Sequence, residues 1–443
     1  MTRRLGRFTT MLVVLALGIS MFVFGVLFTR GGPVQPAPPS GSAATTQVLG
    51  TTGAGIGDVI TTLQQRLRRL PEDHSSWASL GIAYVQQAAI TGDPTYYPKA
   101  EGALLRSLRI KPNGNATAAT GQAVLAAARH DFVKARKRAR AAQAINPYSA
   151  DNQGILSDAL LQRGRYGQAR TELQRMLDLK PGVSSFTRAS YVWELEGRLG
   201  PAKIALQRAL DFSSRPSDQA YCLFYLGELA WNSGNLAEAD RFYAQGLRLD
   251  ATYTPLLAGR AKVDAARGEV DKAVDRYEEV VQRLPVPTYL ISYTDLLRSA
   301  GRNQEAARQE EVIAATQALF EAQGASVDLE IALFEADRGR PKSALRAARA
   351  AWQNERSVQA ADAMAWALHV NGRDQSALQY AQTASRLGTK SALFAYHRGR
   401  IELSIGKRDA AQRSLRRALD LNPHFSPLLA PRAKTVLRSL RSR

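Results

Sequence analysis

At 443 residues the chain is longer than a single hydrophobic core usually serves, so it is either several domains or one elongated repeat. Apolar residues make up 45% and aromatics only 7%, and alternating runs of Val, Ile, Thr and Tyr are missing, which argues against a substantial sheet and for helices. A single cysteine, Cys222, excludes an intrachain disulfide and a thiolate metal cluster, while a net charge of +20 admits nucleic acid, an anionic membrane surface or an acidic polymer without choosing among them.

Arg3, Arg4 and Arg7 precede an uncharged run from Thr9 to Phe28. Its 20 residues, at about 1.5 Å of rise each, match a hydrocarbon core of about 30 Å. The run exceeds the apolar region of a cleaved signal peptide and no small-x-small site follows it, so an uncleaved transmembrane helix or signal anchor is expected at 9–28. Secretion after signal cleavage is the alternative. Three arginines on one flank against Arg30 on the other place residues 1–8 in the cytosol and the remainder outside a cell membrane crossed once. Residues 29–57, rich in Pro, Gly, Ser and Ala, read as a flexible linker.

Beyond the linker, glycine recurs as Gly164, Gly197, Gly234, Gly268, Gly301, Gly339, Gly372 and Gly406, at spacings of 33, 37, 34, 33, 38, 33 and 34. Five residues after each stands alanine: Ala169, Ala202, Ala239, Ala273, Ala306, Ala344, Ala377 and Ala411. Glycine accepts the left-handed backbone that ends one helix, and alanine lets two antiparallel helices approach closely, so each unit is predicted to be a helical hairpin. Apolar residues recur at helical spacing on both sides, as in Leu156 and Leu160, then Ala169, Leu173 and Leu177.

Trp77-x2-Leu80-Gly81-x2-Tyr84, Leu226-Gly227 with Ala239-x3-Tyr243, and the prolines Pro112, Pro147, Pro181, Pro285 and Pro423 resemble the 34-residue pattern of the tetratricopeptide repeat family. The unit around Ala123, Asp131, Phe132 and Ala135 lacks the glycine but keeps the rest, and longer steps at 212–217 and 318–326 depart from the period. The second of these is expected to extend its helix through Phe320. The resemblance implies an all-α, right-handed superhelical solenoid of about ten hairpins over 58–427, closed by a basic capping helix at 428–443. It implies a non-enzymatic protein–protein scaffold or adaptor, tethered to the membrane and holding a peptide or protein segment in a concave groove lined by the first helices. The carried-over register puts Tyr191, Glu194, Tyr221, Tyr225, Glu228, Trp231, Asp295, Asp362 and Trp366 on that groove, with Trp231 and Trp366 the tryptophans expected to be exposed and Trp77, Trp193 and Trp352 packed. These positions are acidic and aromatic, whereas second helices are dense in arginine and lysine, as in Lys134, Arg136, Lys137, Arg138 and Arg140. The groove therefore suits a basic, apolar segment. The alternative is an anionic envelope polymer or lipid headgroups bound by the basic convex face and the last helix. Nucleic acid is not expected as a partner.

The histidines His74, His130, His369, His397 and His424 have no metal-ligand spacing, and no nucleophile elbow, phosphate-binding loop or dinucleotide fingerprint occurs. No catalytic residue, cofactor or metal is expected.

Overall fold

A computed structural model describes residues 55–441, and among these there is no β-strand. The membrane helix expected at 9–28 and nearly all of the linker lie outside the described residues. No described helix is long and apolar enough to cross a membrane.

A leading helix, α1 (Ile56–Arg69), precedes ten hairpins, as the repeat predicts. They are α2 (His74–Thr91) with α3 (Tyr96–Ile110), α4 (Ala116–Ala128) with α5 (Phe132–Ile145), α6 (Ala150–Gln162) with α7 (Tyr166–Leu179), α8 (Val183–Leu195) with α9 (Leu199–Asp211), and α10 (Pro216–Asn232) with α11 (Leu236–Leu249). There follow α12 (Thr254–Arg267) with α13 (Val270–Arg283), α14 (Pro287–Ser299) with α15 (Asn303–Ala322), α16 (Asp328–Asp337) with α17 (Pro341–Asn354), α18 (Val358–Val370) with α19 (Asp374–Ala384), and α20 (Ala392–Ser404) with α21 (Arg408–Leu421). The last helix, α22 (Leu429–Arg441), buries Leu429, Ala433 and Leu437 against the tenth hairpin. As expected, α15 runs on through Phe320.

The turns inside hairpins two to ten are built the same way. Gly164 has φ +68°, its N–H donates to the Leu161 carbonyl at 2.8 Å, and the Arg165 N–H reaches back to Leu160 at 2.9 Å, which satisfies carbonyls left open by the end of α6. All eight repeating glycines have positive φ, and all eight following alanines are fully buried. In the unit without the glycine, His130 takes the left-handed conformation itself, at φ +59°, with the same two backbone hydrogen bonds.

First and second helices differ in how much of their surface they bury. Helix α18 buries ten of its thirteen residues, because it lies between its own partner, its neighbours and the interior. Helix α21 buries only Ala411, Leu415 and Ala418 and turns Arg413, Arg416 and Arg417 to solvent.

Neighbouring hairpins stack, but the array does not remain the open curved rod that a simple solenoid implies. Five successive turns meet five later loops. Gly92 faces Leu284 and Val286, and the Ser326 N–H donates to the Arg129 carbonyl at 3.1 Å. The Arg356 N–H donates to Gln162 at 2.6 Å, the Thr389 hydroxyl to Leu195 at 2.6 Å, and the Asn422 amide to Trp231 at 2.8 Å. Hairpins one to five thus form a first layer and hairpins six to ten a second, joined along a continuous seam. Bare glycine backbone makes the approach possible. A Cβ on Gly164, Gly197 or Gly234 would lie 2.5, 2.3 or 2.9 Å from the carbonyl oxygen of Arg356, Gly388 or Leu421, whereas one on Gly268, Gly301, Gly339, Gly372 or Gly406 would meet nothing within 4 Å.

Candidate functional site

Winding the first helices of both layers around one axis leaves an internal lumen. Its first cavity, about 460 Å³, takes residues from every first helix between α6 and α20, and among the described second helices only Leu173 of α7 and Tyr277 of α13 reach it. A second cavity of about 710 Å³ lies next to it, lined by α1, α2, α4, α10, α12 and α14 among others. Tyr221, Phe224, Pro255, Thr288, Tyr289 and Glu330 line both, so the two are adjoining parts of one space.

The carboxyls of the first cavity fall into two groups. Asp158, Glu228 and Asp362 have charged or titratable partners. Asp158 accepts from Arg188 at 3.0, 2.9 and 2.8 Å. Glu228 accepts from Lys262 at 2.5 and 2.8 Å and from the Tyr243 hydroxyl at 2.6 Å. The Tyr243 ring reaches this position because Gly227 and Gly259 lie on either side: a Cβ on them would come within 2.3 and 2.6 Å of the ring. Asp362 pairs with His397 at 2.8 Å, both side chains being buried.

Glu194, Glu330 and Glu355 have no cationic partner among the described residues. Glu194 accepts only from the Asn232 amide, at 3.0 Å, and Glu355 from the Ser357 hydroxyl, at 2.5 Å. Burial pushes Glu194 and Glu355 up to about 7 and Glu330 up to about 8, where Glu355 and Asp328 add repulsion. Buried Oε2 of Glu330 and Oε1 of Gln162 and Gln359 have no hydrogen-bond partner among the described residues and belong to residues lining the same cavity. The lumen can therefore stabilise a cation or a donor-rich group, with Tyr191, Tyr221, Phe224 and Trp231 supplying apolar surface.

Of the nine positions expected on the groove, Tyr191, Glu194, Tyr221, Glu228, Trp231 and Asp362 line the first cavity and Tyr225 the second. Asp295 and Trp366 line neither. Asp295 is bound by Arg338 at 2.8 Å, and burial lifts it to about 6. Trp366 donates to Asp337 at 2.8 Å and stacks between His369 and His397 at ring separations of 4.9 and 4.2 Å. Trp231 and Trp366, expected to be exposed, are 8% and 5% exposed; it is Trp77 and Trp352 that are only partly covered. Trp231 lies where the second layer closes over the first, whereas Trp366 is covered by the hairpins either side of its own. Glu355, Gln359 and Lys390 also line the lumen and were not anticipated from the sequence. Glu355 and Lys390 lie in loops between hairpins, where helical periodicity says nothing about direction. Among the described residues no group of three His, Cys, Asp or Glu side chains is arranged to hold a metal.

The tetratricopeptide repeat family model matches residues 394–425, the tenth hairpin and the residues that close it. That segment is similar to a tetratricopeptide repeat. No curated protein matches it. Among solved structures, a tetratricopeptide repeat protein from Parabacteroides merdae is 20% identical over 58% of this chain and 98% of its own, with a TM-score of 0.34. The Cut9–Hcn1 hetero-tetramer of the APC/C is 14% identical, covering 90% of this chain and 83% of that one, with a TM-score of 0.41. Yeast Tom70 is 14% identical, covering 87% and 92%, with a TM-score of 0.37. Tetratricopeptide repeat solenoids generally mediate protein–protein interactions.

Proposed function

We propose that this protein is a membrane-tethered tetratricopeptide repeat adaptor whose lumen holds a lysine- or arginine-bearing segment of a partner protein. The supporting observation is the set of three carboxyls, Glu355 buried and Glu194 and Glu330 partly buried, that face one cavity without cationic partners among the described residues. A bound ammonium or guanidinium supplies the missing charge, and the surrounding rings cover its aliphatic stem. The tether is the uncharged run at 9–28, with the array on the far side of the membrane from residues 1–8.

The test is binding of lysine-containing and lysine-to-glutamine peptides to the full chain in detergent micelles, followed by fluorescence anisotropy at pH 6 and pH 8. Because a cation favours the ionised carboxyl, affinity for the lysine peptide rises from pH 6 to pH 8, and the triple variant Glu194→Gln/Glu330→Gln/Glu355→Gln loses both the affinity and its pH dependence. Binding that falls steeply with salt and ignores the triple variant would move the interaction to the outer arginines and refute the lumenal reading. For the tether, alkaline extraction should leave the protein in the membrane pellet, and release into the supernatant would reject it.

A further inference from the structure

Charge along the seam is not balanced evenly. At the second turn Arg129 is paired with Glu101, and at the fourth Glu196 is paired with Arg170. At the third turn arginines gather instead. Arg163 and Arg165 flank Gly164, and the second layer packs on that glycine with the backbone of Arg356 and the guanidinium of Arg386, which lie 2.5 and 2.9 Å from where its Cβ would be. Arg136, from α5, is close enough for its charge to bear on Arg163. None of these five forms an ion pair with a carboxylate among the described residues. Glu355, next to Arg356 in sequence, turns inward to the lumen.

Several of the groups are held in place. Arg356 lies over the Trp352 ring at 4.6 Å and Arg386 over the Tyr166 ring at 5.1 Å. Arg163 donates to the Gln353 carbonyl at 2.9 Å across the seam. Arg136 Nε is buried without a partner among the described residues, while Arg165, Arg356 and Arg386 are exposed, so the cluster is open to solution. Burial, with the charges of Arg356, Arg136 and Arg165, lowers the pKa of Arg163. Five like charges converging on a contact that joins two layers oppose that contact unless an anion sits between them. Planar guanidinium forks match the oxygens of phosphate, and forks already seated on aromatic faces lose little freedom in binding it.

We propose that Arg136, Arg163 and Arg165 of the first layer and Arg356 and Arg386 of the second form a site for a phosphate-bearing anion, which locks the layers together. The site is separate from the lumen and stands whether or not the lumen binds a cationic segment. The test is thermal unfolding of the full chain in detergent micelles with pyrophosphate titrated at constant ionic strength. Tm rises with the logarithm of pyrophosphate concentration past saturation, and amide exchange at residues 354–358 slows in parallel. The Arg163→Gln/Arg356→Gln variant melts higher than the parent without pyrophosphate, because repulsion is relieved, and no longer responds to it. Arg163→Lys/Arg356→Lys keeps the charge without the forks and responds only at higher concentration. Should the glutamine variant fail to fold, Arg165→Gln/Arg386→Gln, at exposed positions, replaces it with the same expected loss of response. A parent Tm that does not move with pyrophosphate overturns the proposal. An equal rise in parent and glutamine variant also overturns it, since the anion then binds elsewhere.

Discussion

Gly197→Ala separates the two demands placed on glycine in this array, because Gly301→Ala makes only one of them. Both residues close a hairpin with nearly equal φ, +70° and +75°. The left-handed backbone therefore costs each alanine variant a similar amount, about 1 kcal/mol. At Gly301 a Cβ meets nothing within 4 Å, so nothing further is added. At Gly197 the Cβ would sit 2.3 Å from the Gly388 carbonyl oxygen and 3.2 Å from its carbon, far inside contact distance, so the loop at 385–391 must move away by about 1 Å. Moving it breaks the 2.6 Å hydrogen bond from Thr389 to Leu195, a further loss of about 1 kcal/mol, and loosens the packing around it. The expected costs are about 1 kcal/mol for Gly301→Ala and about 3 kcal/mol for Gly197→Ala. Urea denaturation measures both, and amide exchange at 388–391 should speed up only in Gly197→Ala. Equal destabilisation of the two variants, within about 0.5 kcal/mol, together with unchanged exchange at that loop, would refute the stacked-layer reasoning.

Glu330 binds its proton more tightly folded than unfolded between pH 4.5 and about 8, so stability falls as pH rises through that window, and Glu330→Gln should gain about 2 kcal/mol over the parent at pH 8 and nothing near pH 4.5. Burial lowers His130 to about 4 and gives the opposite slope below pH 6.5, but it is present in both proteins and cancels in the difference, which denaturation across pH measures. Asp362→Ala leaves His397 buried without its partner and should cost about 3 kcal/mol in urea, whereas Asp362→Asn, which keeps a hydrogen bond, should cost less than half of that; equal costs would contradict the pairing. Ala377→Leu places a larger side chain at a fully buried helix crossing and should destabilise by about 2 kcal/mol in thermal unfolding, against almost nothing for the same change at exposed Gln382.

The hairpins were legible because their demands are local. Gly164 and Ala169 report a turn and a crossing five residues apart, and all eight of the repeating pairs behave the same way. His130 shows the limit of that signal, since the same left-handed turn forms there without the glycine that marks it elsewhere. Closure was not legible. Arg356 meets Gln162 through backbone groups that every amino acid carries, and the Thr389 hydroxyl meets the Leu195 carbonyl, each across about 190 residues. Gly197 and Gly301 look alike in sequence, yet only the first lies against another layer. For the lumen, the register of the first helices indicates that Tyr191, Glu194, Tyr221 and Glu228 point inward, since those positions recur with the repeat. It cannot indicate that an inward residue is covered, because covering comes from a hairpin five or six units away. Trp366 is covered differently, by near neighbours: His369 on its own helix, and Asp337 and His397 on the hairpins either side.

Most solenoids can gain or lose a unit during evolution and simply become longer or shorter. Here each of the five early turns is matched to one particular later loop, and removing a single hairpin from the middle would set every turn opposite the wrong partner, with side chains where bare backbone is needed. Unit number is thus fixed by the matching of turns to loops, and a duplicated hairpin would keep that matching only if added beyond α22 or before α1.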